Sequence, residues 1–416
     1  MQTIAVMTTA LWMLAPPVVT KPPVQIAASP STALTLIGVA SIPGDALDKS
    51  GLVGDIMPGI PHARLGSFGS GIDCVDQFPG GAHLISTCDR GPSDGAAPFQ
   101  CRLDAWTLRV DQTSKPVVTI NLDASMILRR ADGQPFTGIS SELGTFTDKD
   151  GTAVSNRLDP EGIRRLTSGN FLVCEEYMPG VLEFAPDGTY IRTWSVPERF
   201  ICKHPGKDEL TEAPPANTSG RQPNKGFEGV AVTPSGEAWV LLQNPLIQDG
   251  ALNGKGKRIG HSIRMLCLGR TPGAKAMREV VYRLEEPACG TSELLAMDDH
   301  RFLVIERDSR ASQFRRIYEI DVNGATDVSG MSELPSDVLP ASVQPVAKKL
   351  FLDLTDPATG LGQTPEKIEG LCWGPTLPDG RRTLIIAVDN DMKADQPTIF
   401  WVFALPATAA VVGGNS

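Results

Sequence analysis

One short pattern of strands recurs along this chain, and it restricts the possible folds more than any other feature. An acidic or small residue opens an apolar run, a glycine-containing turn follows, and a second apolar run ends on an acidic or amide residue. The clearest copy begins at Asp159 (DPEGIRRLTSGNFLVCEEYMPGVLEFAPDGTYIRTWSV). Others begin at Phe227 (FEGVAVTPSGEAWVLLQNPL), Ser292 (SELLAMDDHRFLVIERD), Ile368 (IEGLCWGPTLPDGRRTLIIAVDND) and, more loosely, Ser70 (SGIDCVDQFPGGAHLISTCDRG). Short runs of branched and aromatic residues bounded by Gly, Pro, Asn and Asp are strand signals, and helical periodicity is nearly absent. A unit of three or four strands, repeated with uneven insertions, predicts an all-β chain folded as a single β-propeller. A β-sandwich is the rival, but sandwiches do not repeat one acidic signature per group of strands. A further blade assembled from residues 33–42 and 116–122 would bring the count to six and let the chain ends close the ring.

The propeller is expected over residues 31–406, with an apolar, proline-containing segment at 1–30 and a small-residue tail at 407–416. The run before Thr20 has no acid or base, so it reads either as an export signal without its basic flank or as an unstructured tail. Pro16 and Pro17 interrupt it short of the roughly 20 residues that a membrane helix needs. No later stretch is long and apolar enough. Eight cysteines lack zinc spacing. In an exported chain their even number suggests at least one disulfide, most readily within Cys74, Cys88 and Cys101; the other reading is buried thiols. A net charge of −10 lacks the basic footprint that nucleic acid requires and suits a protein that collects cations.

Aligning the copies places Glu161, Glu228, Glu293 and Glu369 together at the start of the first strand, three of them followed by glycine. At the end of the second strand the same alignment places Asp89, Glu175, Gln243, Glu306 and Asp389. In a propeller such positions ring one mouth of the central channel, so several carboxylates are expected to converge there. Crowded carboxylates repel unless something compensates, and a hard cation such as Ca²⁺ accepts many oxygen ligands in loose geometry. The plainer alternative is that each glutamate caps a strand or pairs with an arginine. Glycine after each glutamate permits close backbone approach or offers an unobstructed carbonyl. Asp89-Arg90 and Glu306-Arg307 add guanidinium forks suited to a phosphate or carboxylate, or equally to neutralising the acid next door. Lys225 adds a further cation in a long polar loop, 203–226. Asp148-Lys149-Asp150-Gly151 lacks the flanking ligands of a calcium loop and reads as a turn.

Taken in order, DPEG…FLVCEEY, NKGFEGVAV…LLQNPL, ELLAMDDHRFLVIERD and EKIEGL…VDNDM resemble the phytase-like, esterase-like propeller family over residues 64 to 405. The resemblance implies a secreted or periplasmic hydrolase of phosphate or other esters, monomeric, dependent on a divalent cation such as calcium, with a small anionic ester as its partner. It marks Glu161, Glu228, Glu369 and Asp389, with Glu293 and Asp89 beside them, as candidate metal ligands. Glu228 and Glu161 are the candidate catalytic residues. Arg90, Arg307, Lys225, Glu175, Gln243 and Glu306 are candidate substrate contacts. Gln243 departs from the family pattern, which has an acid there. A lactonase or carboxylic esterase, or a non-catalytic propeller with a structural cation, is the competing reading.

Overall fold

A computed structural model describes residues 34–272, 278–309 and 314–406; the segment expected at 1–30 and the tail at 407–416 lie outside them. Five four-stranded antiparallel sheets follow one another. Blade 1 comprises Gly71–Phe78, Gly81–Thr87, Arg102–Val110 and Val118–Ile127, and blade 2 Pro160–Arg165, Phe171–Glu175, Gly180–Phe184 and Tyr190–Trp194. Blade 3 comprises Phe227–Val232, Ala238–Leu242, Ser262–Gly269 and Arg278–Arg283. Blade 4 runs through Cys289–Ala296, Arg301–Asp308, Arg315–Asp321 and Ala347–Asp353. Blade 5 has Ile368–Gly374, Thr383–Val388 and Thr398–Ala404, and takes Thr35–Ile42 as its outermost strand. The innermost strands touch in the cyclic order 1-2-3-4-5-1. The molecule is a closed five-bladed propeller.

Among the described residues there is no sixth blade. The segments expected to build it instead supply Thr35–Ile42 and Val118–Ile127, the outer strands of blades 5 and 1, two of the four copies for which the sequence pattern gave only three strands. A four-stranded sheet leaves no inner strand unaccounted for, so these segments complete blades rather than build one. Ring closure is as expected: the strand nearest the N-terminus pairs with the last strand, Ser41 opposite Ile399. The predicted turns at Gly169 and Gly188 have φ of 92° and 85°, where glycine carries no steric penalty. The Asp148 turn is also a turn, its carboxylate accepting from the amides of Asp150 (2.9 Å) and Thr152 (2.8 Å).

Each blade is buried on both faces by its neighbours, so second strands such as Ala238–Leu242, and Thr383–Val388 after its first residue, are apolar throughout instead of alternating. The core is a set of layers between blades. Cys88 and Cys101 are buried in such layers, Cys74 is half-buried, and no disulfide forms among the described residues. The expected bridge is therefore absent: the Cys88 thiol meets the Arg102 carbonyl and the Cys101 thiol the Leu158 carbonyl. Among the described residues no helix is long and apolar enough to cross a membrane.

At the channel axis Arg164 is buried and joins four blades. It donates to the carbonyls of Ile72 (2.9 Å), Ile163 (2.6 Å), Leu294 (2.7 Å) and Leu371 (3.2 Å). It also pairs with Glu293 at 3.1 Å. Burial works against its charge, but Glu293 and Asp73 outweigh that and keep it a cation. Arg164→Met should therefore cost about 3–5 kcal/mol in chemical denaturation, because it strands a buried Glu293 and several carbonyls. The double variant Arg164→Met/Glu293→Met should recover part of that loss.

Candidate functional site at the channel mouth

Strand register explains how the acids reach the mouth. Each inner strand of blades 2, 3 and 5 carries a β-bulge, and the extra residue is Glu161, Glu228 or Glu369. In blade 4 the bulge falls on Ser292, and Ser70 takes the position in blade 1, where Gly71 pairs with Thr87 as Gly162 pairs with Cys174. Bulges re-aim side chains out of the pleat. The following glycine is needed for packing: a Cβ on Gly229 would lie 2.5 Å from the Leu294 amide nitrogen, and one on Gly162 would lie 3.0 Å from that of Val230. Glycine lets each inner strand lie against the next blade's backbone.

A second set of five residues shares one register position at the end of the second strands: Asp89, Glu176, Gln243 and Asp389 follow their strands, and Arg307 is still within its own. Eight of these ten residues, all but Ser70 and Asp389, line a cavity of about 280 Å³ together with Arg90, Lys225 and Lys367. In and behind its wall the acids fall into two clusters. In one, oxygens of Asp159, Glu161 and Glu176 lie within 4.8 Å of one another, all buried. Arg90 Nη1 reaches Asp159 at 3.4 Å, but Glu176 Oε1 is buried with no hydrogen-bond partner. Burial raises Glu161 well above the carboxylate range, and Glu228, Asp159 and Glu176 push it further. Burial likewise brings Asp159 up to about 7, against the pull of Arg90. Three acids with an unsatisfied buried oxygen fit a hard divalent cation.

The other cluster joins Asp89, Asp389 and Asp391. Lys367 Nζ sits among them, 3.8, 3.5 and 2.6 Å from their respective oxygens. Burial opposes the ammonium charge, but Glu369 and these aspartates outweigh it and hold Lys367 protonated. A lysine here supplies the positive charge that a metal would bring. Across the mouth Gln243 Nε2 donates to Glu228 Oε1, and Arg307 pairs with Glu369 while donating to Ser292 Oγ at 2.8 Å.

The residues expected from the sequence therefore divide. Glu161, Glu228, Glu369, Asp89, Gln243, Arg90, Arg307 and Lys225 line the cavity, and Asp389 lies behind Lys367. Glu293, Glu175 and Glu306 do not. Glu293 occupies the glycine position of its blade and turns inward to Arg164. Glu175 and Glu306 are each one residue short of the mouth, and a shift of one reverses the face of a strand. Glu175 instead accepts from the Tyr177 amide at 2.9 Å, and burial raises it to about 8. Glu306 accepts from the Tyr282 hydroxyl at 2.6 Å and Lys348 at 2.7 Å. Asp159, Glu176 and Lys367 went unnoticed. Spacing could have found one of them: fifteen residues separate Glu228 from Gln243, and the same interval leads from Glu161 to Glu176 and from Ser292 to Arg307.

A protein of Arthroderma benhamiae described as an uncharacterized secreted protein is 27% identical over 370 residues, covering 73% of this chain and 68% of its own. Among solved structures, a gluconolactonase from Xanthomonas campestris is 10% identical with a TM-score of 0.31, covering 80% of this chain and 97% of that one. A virginiamycin B lyase from Staphylococcus aureus is 10% identical with a TM-score of 0.32, covering 81% and 94%. At such scores neither structure bears on the chemistry of this mouth. The match that does identify the chain spans residues 64–392, from just before blade 1 into the loop that carries Asp389: the chain belongs to the phytase-like family described as esterase-like activity of phytase.

Proposed function

We propose that the channel mouth is the active site of a divalent-cation-dependent hydrolase of phosphate or related esters, with calcium the cation that the donor set suits best. The observation that carries this is the Asp159–Glu161–Glu176 cluster with its unpartnered buried oxygen, flanked by Arg90 at the wall of an open cavity. The family's description as esterase-like supports the reaction class. When bound, the cation would polarise the ester and lower the pKa of a neighbouring water. Arg90 and Lys225 are placed to hold an anionic group by charge-assisted hydrogen bonds. Burial raises Glu228 well above the carboxylate range, with Glu176 and Glu369 adding to the effect, which favours its protonated form. It can give that proton to the departing alkoxide as the ester bond breaks, and the proton lost by the attacking water restores it. Export belongs to the same reading: the fungal relative is described as secreted, and N-terminal sequencing of the mature protein should find residues before about Ala33 removed.

Glu228→Gln should lower kcat by about 10²–10⁴-fold with the fold retained. Glu161→Gln should weaken cation affinity by at least about tenfold in calorimetric titration. A wild type with no cation-dependent turnover on phosphate esters, carboxylic esters or lactones would leave a binding propeller instead.

The raised acids fix the pH behaviour. Without cation the folded state holds protons on Asp159 and Glu161 that the unfolded chain releases near pH 4, so stability falls as pH rises from about 4 through 7. Melting in chelator should thus drop in temperature across that window, and calcium should restore more at pH 8 than at pH 5. Calcium affinity itself should weaken as pH falls below about 7, with protons released on binding.

A further inference from the structure

Beside the mouth lies a second cavity of about 510 Å³, and the two share Arg90, Asp94 and Asn224 in their linings. One wall is the segment 203–226, inserted between blades 2 and 3. That segment is tied down from beneath: Glu212 pairs with Arg157 at 3.1 Å and with Arg221 at 2.6 Å, all three buried. The floor is Tyr177, whose hydroxyl donates to the Gly138 carbonyl at 2.8 Å and whose ring lies 4.4 Å from the Arg157 guanidinium. At the rim Leu210 is 89% exposed, an apolar side chain held in water beside an open cavity.

Charge separates the two cavities' roles. The mouth is lined by seven carboxylates and five cations, and among those cations Arg90 and Lys225 are placed to meet one phosphate group. The side cavity has three cations, Arg90, Arg157 and Lys207, against the three acids Asp94, Asp208 and Glu212. It has no surplus positive charge for further phosphates, and its volume is that of a drug-sized organic group.

We infer that the substrate is bipartite: an organic ester of a single phosphate, its phosphate at Arg90 in the mouth and a bulky uncharged remainder in the side cavity between Tyr177 and Leu210. The segment 203–226 then sets specificity, and a small polyphosphorylated ring gains nothing from the side cavity, where three acids already answer the three cations. The inference rests on the hydrolase reading for its ester, but the side cavity can be tested by binding alone.

The experiment compares methylphosphonate, 1-naphthylphosphonate and inositol hexakisphosphate by calorimetry on the full chain with calcium. The naphthyl compound should bind at least about tenfold tighter than the methyl one. Leu210→Asp should reduce that ratio about three- to tenfold and Leu210→Trp should raise it, since both change an exposed residue whose replacement the fold tolerates. Equal binding of the two phosphonates, no response to either substitution, or tighter binding of inositol hexakisphosphate would overturn the inference. Parallel assays on methyl and 1-naphthyl phosphate keep the two claims apart. Size-selective binding without turnover sinks the hydrolase and leaves the bipartite site, whereas turnover of both esters at equal kcat/KM sinks the bipartite site and leaves the hydrolase.

Discussion

Five inner strands can surround one axis only if their backbones approach more closely than side chains usually allow and if the polar groups turned toward that axis find partners. Gly71, Gly162, Gly229 and Gly370 meet the first condition, each abutting the backbone of an adjacent inner strand. Arg164 meets the second by donating to carbonyls of blades 1, 2, 4 and 5 from a single guanidinium. An arginine suits the place because its donors lie in a rigid plane and stay charged when buried. Blade 4 has no glycine at the matching position, and Glu293 there supplies the counter-charge that makes the buried cation tolerable. The bulges at the mouth depend on this arrangement, since the strands must first be drawn together before their ends can aim inward.

Above that plug the same spacing forces acids together, and the protein answers the repulsion in two ways. Lys367 is built into the Asp89–Asp389–Asp391 cluster, so its charge is part of the fold. The Asp159–Glu161–Glu176 cluster has Arg90 on one flank and an oxygen of Glu176 left without a donor. One cluster has its answering charge within the polypeptide, and the other keeps a buried oxygen without a donor. That asymmetry, more than the number of acids, is what distinguishes the two.

Much of the architecture was legible because a propeller blade is a local object. Antiparallel neighbours joined by short turns leave their pattern in one continuous stretch, as Asp159 to Val196 shows. The blade count was not legible, because the outer strand of blade 5 lies more than 350 residues from its partner and nothing local marks Thr35–Ile42 as belonging to it. At the mouth, residues following the Glu-Gly signature were found and those set by register were not. Glu175 was taken where Glu176 faces the cavity, and Glu293 where Ser292 holds the bulge.

The sequence by itself determined that the chain is all-β, repeated and acidic at equivalent points, since periodicity and turn chemistry act between near neighbours. It also determined that Glu161, Glu228 and Glu369 share one position in the repeat, because the glycine that must follow each is visible. Only the tertiary structure decided which acids meet, which are answered by Lys367, Arg164 or Arg307, and that a second cavity opens beside the first. Those outcomes depend on bulges that shift a strand by one residue and on side chains arriving from different blades. A one-residue shift changes no composition and no periodicity, but it reverses the face on which a carboxylate stands.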